Sequence, residues 1–180
     1  MKYFFIIICI FIGTTSFQTR KQDLIDEITK SLLSDLKSCD SKKFHNKYSI
    51  TNSDLKWYTN NINSDSLIKS DEKISYINEF ISLKKSLQTN TLKSQYEKIW
   101  LSDLKTYQIN KDSIIITDNY FVLTNGKGNL DLLALEMKFF NNGLYYKIKL
   151  NLVNLEKNWK VFSISEFKPC DKYYISNYEF

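Results

Sequence analysis

The sequence predicts an α+β domain, with N-terminal helices packed on a curved antiparallel β-meander. Three observations carry this reading. Apolar residues recur at helical spacing from Gln22 to Cys39 and again from Ile74 to Leu104, with polar short turns and loops over Asp40 to Asp71 between them, and from Ser113 onward they become β-branched, aromatic and alternating. Turn residues then punctuate that second half at hairpin spacing. Helices first and strands afterwards segregate the two, which places the helices on one face of the sheet.

Ahead of the first helix, Lys2 precedes the apolar run Tyr3 to Ile12 and the small residues Gly13-Thr14-Thr15-Ser16. One positive charge, a short apolar segment and small residues before a cut form the pattern of a secretory signal peptide, expected over residues 1–16. The run is roughly half the ~20 residues a membrane-crossing helix needs, so a cleaved leader is expected and no stable transmembrane helix after it. Cys9 follows Ile6-Ile7-Ile8, whereas a lipid-anchor site wants a small residue just before the cysteine. The mature chain, residues 17–180, is then one exported α+β domain, periplasmic, at the cell surface or extracellular. No Asn-x-Ser/Thr occurs in this Asn-rich chain, which favours a bacterial envelope.

The 43% hydrophobic and 15% aromatic content leaves enough apolar material for one sizeable core. With 4 Gly, 1 Pro and abundant Lys, Asn and Ile, the composition follows AT-rich codons. The net charge of +5 is therefore weak evidence for a polyanion partner. Basic residues pair only as Lys42-Lys43 and Lys84-Lys85, without interleaved aromatics, so no nucleic-acid partner is expected.

From Gln22 to Cys39, Ile25, Ile28, Leu32 and Leu36 share one helical face opposite Asp26, Lys30, Ser34 and Lys37. Asp40 to Asp71 is polar, with Thr51 or Ser53 as a cap for a short helix through Leu55 to Trp57. Ile74, Ile77, Phe80, Ile81, Leu83 and Leu87 keep helical spacing; after a pause at Thr89-Asn90-Thr91, Leu92, Tyr96, Ile99, Trp100 and Leu104 resume it. Strands are expected over Ile114 to Leu123, Leu130 to Phe140, Leu144 to Val153 and Trp159 to Phe167. Turns at Asn125 to Asn129, Asn141-Asn142-Gly143 and Asn154 to Asn158 separate them. Residues 171–180 read as a frayed tail or an added edge strand.

Cleavage leaves Cys39 and Cys170 in an oxidising compartment, where one disulfide is expected; two buried thiols are the alternative. Closing a loop of ~130 residues would remove about 4–5 kcal/mol of unfolded-chain entropy. No CxxC or Cys/His spacing points to a metal or a redox motif, and with His45 the sole histidine, triads and multi-histidine metal sites are largely excluded. No cofactor is expected. Among carboxylates within strands, Asp131, Glu136 and Glu166, the acid/base candidate is Glu136, between Leu135 and Met137. Its alternation with Lys138 equally fits an outward face. Gly126-Lys127-Gly128 lacks a following helix and reads as a hairpin turn, not a phosphate loop. Tyr96, Trp100, Tyr146 and Trp159 are the aromatics that could line a ligand pocket, or fill the core.

The early amphipathic helix ending near Lys37-Ser38-Cys39-Asp40, the middle helices, and the hairpin of Tyr146-Lys147-Ile148-Lys149-Leu150 with Asn158-Trp159-Lys160-Val161 resemble the nuclear-transport-factor-2-like, or cystatin-like, group. That resemblance implies a cone-shaped sheet wrapped around helices, often with a pocket at the open end. Its members include isomerases, dehydratases, ligand binders and non-catalytic modules, so function does not follow from the fold. No catalytic residue is carried over. The expected function is an exported non-catalytic binding module for a small apolar ligand, a glycan or a protein partner. The alternative is a small metal-independent pocket enzyme using carboxylate or tyrosine acid/base chemistry.

Overall fold

The computed structural model describes residues 22–88, 91–126, 130–156 and 158–176. The leader expected over 1–16, positions 127–129 of the glycine turn and positions 177–180 lie outside them. The chain divides into two compact units, residues 1–34 and 35–180. In the first, residues 22–34 belong to helix α1 (22–37), with Ile25, Ile28 and Leu32 buried at the expected spacing and Lys30 and Ser34 exposed.

The second unit begins in the last turn of α1. The helix stops because Cys39 adopts a left-handed φ of 52° and its N–H bonds the Leu36 carbonyl at 3.2 Å. Asp40 then caps α2 (Ser41–Tyr48) by accepting from the Lys43 amide. Helix α3 (Asn52–Ser64) opens on a capping box, in which the Thr51 hydroxyl accepts from the Asp54 amide and the Asp54 carboxylate accepts from the Thr51 amide. Helix α4 (Ser70–Gln88) follows. After it, α5 (Thr91–Gln95), a π-helical turn (Tyr96–Leu101) and α6 (Ser102–Thr106) run into one another.

The sheet is a meander in the order β1-β2-β3-β4, every neighbour antiparallel: β1 (Ile115–Asn125), β2 (Asp131–Asn141), β3 (Leu144–Leu155) and β4 (Asn158–Cys170). Asn142 and Gly143 take φ of 49° and 83°, the paired left-handed conformation of a two-residue hairpin whose twist suits the strands it joins. That turn fixes the β2–β3 register without a slip from Asn141↔Leu144 to Asp131↔Asn154. Register shifts opposite Lys149/Leu150 and Asn151/Leu152 place bulges in the β3–β4 pair, which add local bend and twist.

By strand alternation, Leu135, Met137 and Phe139 of β2 share a face with Tyr146, Ile148, Leu150 and Leu152 of β3, and all are buried. Phe139, Tyr146 and Phe167 stack there in a row, 5.6 to 6.0 Å between rings, with Trp100 edge-on to Phe167 at 5.4 Å. Val153 and Leu155 alternate to the opposite face and pack, with Leu130, in a cluster containing Ile50, Tyr58, Ile62, Ile68 and Phe80. Helical segments of the second unit therefore meet both faces of the sheet, not the one face expected. The cause is visible in β3, where Leu152 and Val153 in succession are both buried and so need cover on both sides. On α4, Ile74 is exposed although it keeps the helical spacing of Ile77 and Phe80.

Candidate functional site

The aromatic residues proposed for a pocket fall in two places. Tyr96 and Trp100, at the start and near the end of the π-helical turn, are fully buried. The Tyr96 hydroxyl and the Trp100 indole N–H donate to one acceptor, the Leu36 carbonyl, at 2.9 and 2.8 Å. That carbonyl lies in the last turn of α1, where intrahelical partners run out, so the two side chains satisfy a helix end that is otherwise buried. Burial pushes the Tyr96 phenol well up, which keeps it protonated as this donor. Tyr146 joins the stacked row with Phe139 and Phe167. Trp159 is half-buried and sits beside the β3–β4 turn opposite Asn154, whereas Tyr146 pairs with Pro169. Eight residues of strand, roughly 26 Å, separate those positions, so Trp159 is not gathered with Tyr146.

The chemistry concentrates on the other face, around Glu136. Four-strand register lays two rows side by side: Tyr120–Glu136–Lys149–Glu166 and Asp118–Lys138–Lys147–Lys168. Glu136 is fully buried, with one carboxylate oxygen, Oε2, at 3.4 Å from both Lys147 Nζ and Lys149 Nζ. Lys147 and Lys149 also lie 3.5 and 3.8 Å from Glu166. The other oxygen, Glu136 Oε1, is buried without a hydrogen-bond partner.

In the second row Lys138 and Lys147, both buried, stand directly opposite each other, a like-charge cross-strand pair that by itself destabilises a sheet. A strap formed by residues 171–176 compensates it. The Lys138 ammonium donates to the carbonyls of Lys172 at 2.6 Å and Tyr174 at 3.3 Å, and lies 3.4 Å from Asp118. The Lys147 ammonium donates to the Tyr174 hydroxyl and lies 3.9 Å from the centre of its ring. The Tyr174 hydroxyl in turn points to Glu136 Oε2 at 3.4 Å, and the Tyr120 hydroxyl donates to the Tyr174 carbonyl at 3.0 Å. Tyr173 and Ile175, on either side of Tyr174, are exposed.

These contacts set the charge states. Burial alone would lower the Lys147 ammonium, but its bond to Tyr174 and the neighbouring Glu136 and Glu166 outweigh burial and hold it above its usual 10.5. Burial alone would raise Glu166, but Lys168, 2.5 Å away, with Lys147 and Lys149, holds it below its usual 4.5. A lowered carboxyl stabilises the fold above the unfolded value and loses that contribution as pH falls through the folded one. A raised ammonium contributes below 10.5 and loses it as pH rises through its folded value. Stability is therefore expected to decline below about pH 4.5 and again in strong alkali. In urea titrations across this range, Glu166→Gln is expected to shrink the acid decline; an unchanged acid limb would remove Glu166 from the cause.

The two cysteines are free thiols, so the disulfide expected between Cys39 and Cys170 is not formed. Their surroundings give the reason. Cys39, at the end of α1, has Lys111 and Asp112 as its charged neighbours, whereas Cys170 ends β4 among Lys138, Lys147, Glu136 and Asp171. Burial pushes both thiols up, away from the reactive thiolate. Unfolded without reductant, a chain of residues 17–180 should take up two alkyl groups; uptake of none, with a mass two hydrogens lower, would show a bridge.

The remaining candidates are structural in their contacts. His45 lies in α2 with its Nδ1 3.0 Å from the Ser49 hydroxyl, and Asp131 accepts from the Asn154 amide at 3.2 Å. The residues that sequence reasoning missed are Lys138, Lys147, Lys149, Tyr120 and Tyr174. A signal for three of them was present: a two-residue turn at Asn142-Gly143 places Glu136 opposite Lys149 and Lys138 opposite Lys147. Nothing local announces Tyr120 or Tyr174, which reach the site from a strand and a segment distant in sequence.

Fold and site together define an α+β protein with a buried Glu136–Lys138–Lys147 cluster on one sheet face under a strap of its own chain. No described helix is long and apolar enough to cross a membrane. No family model matches the chain, and neither a curated protein nor a solved structure is significantly similar to it.

Proposed function

We propose that this chain is an exported, non-catalytic binding module of the nuclear-transport-factor-2-like build, and that its partner is a protein. The observation that carries the binding reading is the closure of the Glu136 site. Its carboxylate faces two ammonium groups and a tyrosine beneath the chain's own strap, which leaves these titratable groups paired with one another and not converging on an open substrate position. Tyr96, Trp100 and Tyr146 are spent on packing and on the Leu36 carbonyl, which argues against an apolar ligand inside the helix–sheet core. The leader pattern in residues 1–16 supports the exported address, and the helix-then-meander order with Asn158-Trp159-Lys160-Val161 on β4 supports the build.

The pocket-enzyme reading is favoured by one observation, the unpartnered Oε1 of Glu136 in a carboxylate whose other oxygen faces a tyrosine hydroxyl. A thermal-stability screen of the mature chain against apolar ligands, glycans and peptides separates the two. A binder at one hundred times its Kd adds about 2.7 kcal/mol, which for a chain of this size raises Tm by roughly 5–10 °C. Peptides are expected to produce that rise. Turnover of a screened compound that vanishes in Glu136→Gln would sink the binding reading.

A further inference from the structure

The sheet face under residues 171–176 is already occupied, and the way it is occupied describes what it recognises. Lys138 and Tyr120 hold the strap by main-chain carbonyls, those of Lys172 and Tyr174, and take nothing from the side chains of Lys172 or Ile175. Recognition of that kind tolerates sequence. Tyr174 is the exception: its hydroxyl meets Lys147 and Glu136, its ring lies under the Lys147 ammonium, and its edge packs against Tyr120 at 6.5 Å and 87°. Asp118 offsets part of the repulsion at Lys138, and Glu136 and Glu166 at Lys147; the strap adds two carbonyl acceptors to the first ammonium and a ring with a hydroxyl to the second, which is the chemistry the face accepts. The buried, unpartnered Oε1 of Glu136 shows in addition that the strap leaves one acceptor of the site unused.

We propose that this face is a docking site for a short turn-forming segment of a partner protein carrying a tyrosine, and that residues 171–176 are its resident occupant, displaced when the partner binds. The proposal rests on the binding-module reading and names its partner class. The Tyr174 amide bonds the Asp171 carbonyl at 3.1 Å, so the strap meets the face as a turn with Tyr174 at the anchor position, and a competing segment repeats that turn, its own tyrosine over Lys147 and its own carbonyls on Lys138 and Tyr120. The resident strap then acts as an intramolecular competitor, lowering apparent affinity by the fraction of molecules in which it stays seated.

The test uses the full mature chain with Cys39→Ser, so that Cys170, beside Lys138 and Lys147 at the root of the strap, reports its lifting by alkylation rate. The probe is a fluorescent, end-blocked hexapeptide of sequence Asp-Lys-Tyr-Tyr-Ile-Ser, matching residues 171–176. Tyr174→Ala is expected to speed Cys170 alkylation and to bind the probe at least tenfold more tightly than the parent chain. A probe with alanine at its second tyrosine should not bind. If Tyr174→Ala does not fold, Tyr174→Phe, which removes only the hydroxyl, should tighten probe binding in the same direction, about threefold.

Equal probe binding by parent and variant overturns the proposal, as does faster alkylation with no probe bound, an outcome that leaves the binding-module reading standing. Unchanged alkylation in a folded Tyr174→Ala chain overturns Tyr174 as the anchor. Dimerisation of the variant in place of probe binding assigns the face to a second copy, and protection of Cys170 by inorganic phosphate but not by the probe assigns it to a small anion; either result also overturns the proposal.

Discussion

Trp100→Ala is expected to cost about 4 kcal/mol, within the range for emptying a buried tryptophan site. Trp100 is fully buried, edge-on to Phe139 and Phe167, and its indole N–H is one of the donors to the Leu36 carbonyl. Truncation removes the ring, the dispersion contacts on both phenylalanines and that hydrogen bond together. The carbonyl itself keeps the Tyr96 hydroxyl and the Cys39 amide, so the cost is mainly cavity and not an orphaned acceptor. For a chain of this length the shift is roughly 8–16 °C in Tm. Trp100→Phe restores a ring without the donor and should cost only about 1–2 kcal/mol. Should the alanine variant melt within two or three degrees of the parent chain, the Phe139–Tyr146–Phe167 row is not held from above by this tryptophan.

Removing one charge of the buried cluster is expected to be nearly as damaging. Lys147→Met leaves Glu136 with Lys149 as its neighbouring ammonium and takes away a group that seats Tyr174, for a loss of about 3 kcal/mol, the lower end for breaking a buried pair. Two terms hold it to the lower end: Lys149 stays 3.4 Å from the carboxylate, and the like-charge opposition with Lys138 disappears. Glu136→Gln combined with Lys147→Met should recover at least half of that loss, because the pair is removed together with the desolvation it requires. Urea titrations of the four members of this double-mutant cycle measure the coupling. A loss below about 1 kcal/mol for Lys147→Met would mean that water reaches the cluster and that the strap does not seal it.

How much of this could be read from the residues differs by element. The four strands and the Asn142-Gly143 hairpin were legible because alternation and a left-handed turn are local properties, set within a few residues. The stripe of Ile25, Ile28, Leu32 and Leu36 was legible for the same reason. Which strand residues face helices was only half legible: Leu155 was expected in the turn Asn154 to Asn158, yet it continues β3 and is buried with Val153 against the α3–α4 region. Two apolar residues at a strand end cannot announce a second layer on that side, because the cover comes from helices remote in the chain. The disulfide failed likewise. Two cysteines outside the expected leader, in an expected oxidising compartment, argue that two thiols can pair, but pairing needs them within a few ångströms, a matter of tertiary placement.

Glu136 is the sharpest instance. Its neighbours Leu135 and Met137 marked it as a carboxylate in an apolar strand, and alternation with Lys138 marked it as outward; both are true, and the burial comes from the strap. By itself the sequence determined the α+β order, the helical stripe and the hairpin register, since each depends on backbone preference and side-chain period over short distances. Only the tertiary structure decided that the outward charges are buried, that Tyr174 sits on Lys147 and that the cysteines stay apart. Those depend on contacts between segments remote in the chain, whose free energy no local pattern encodes.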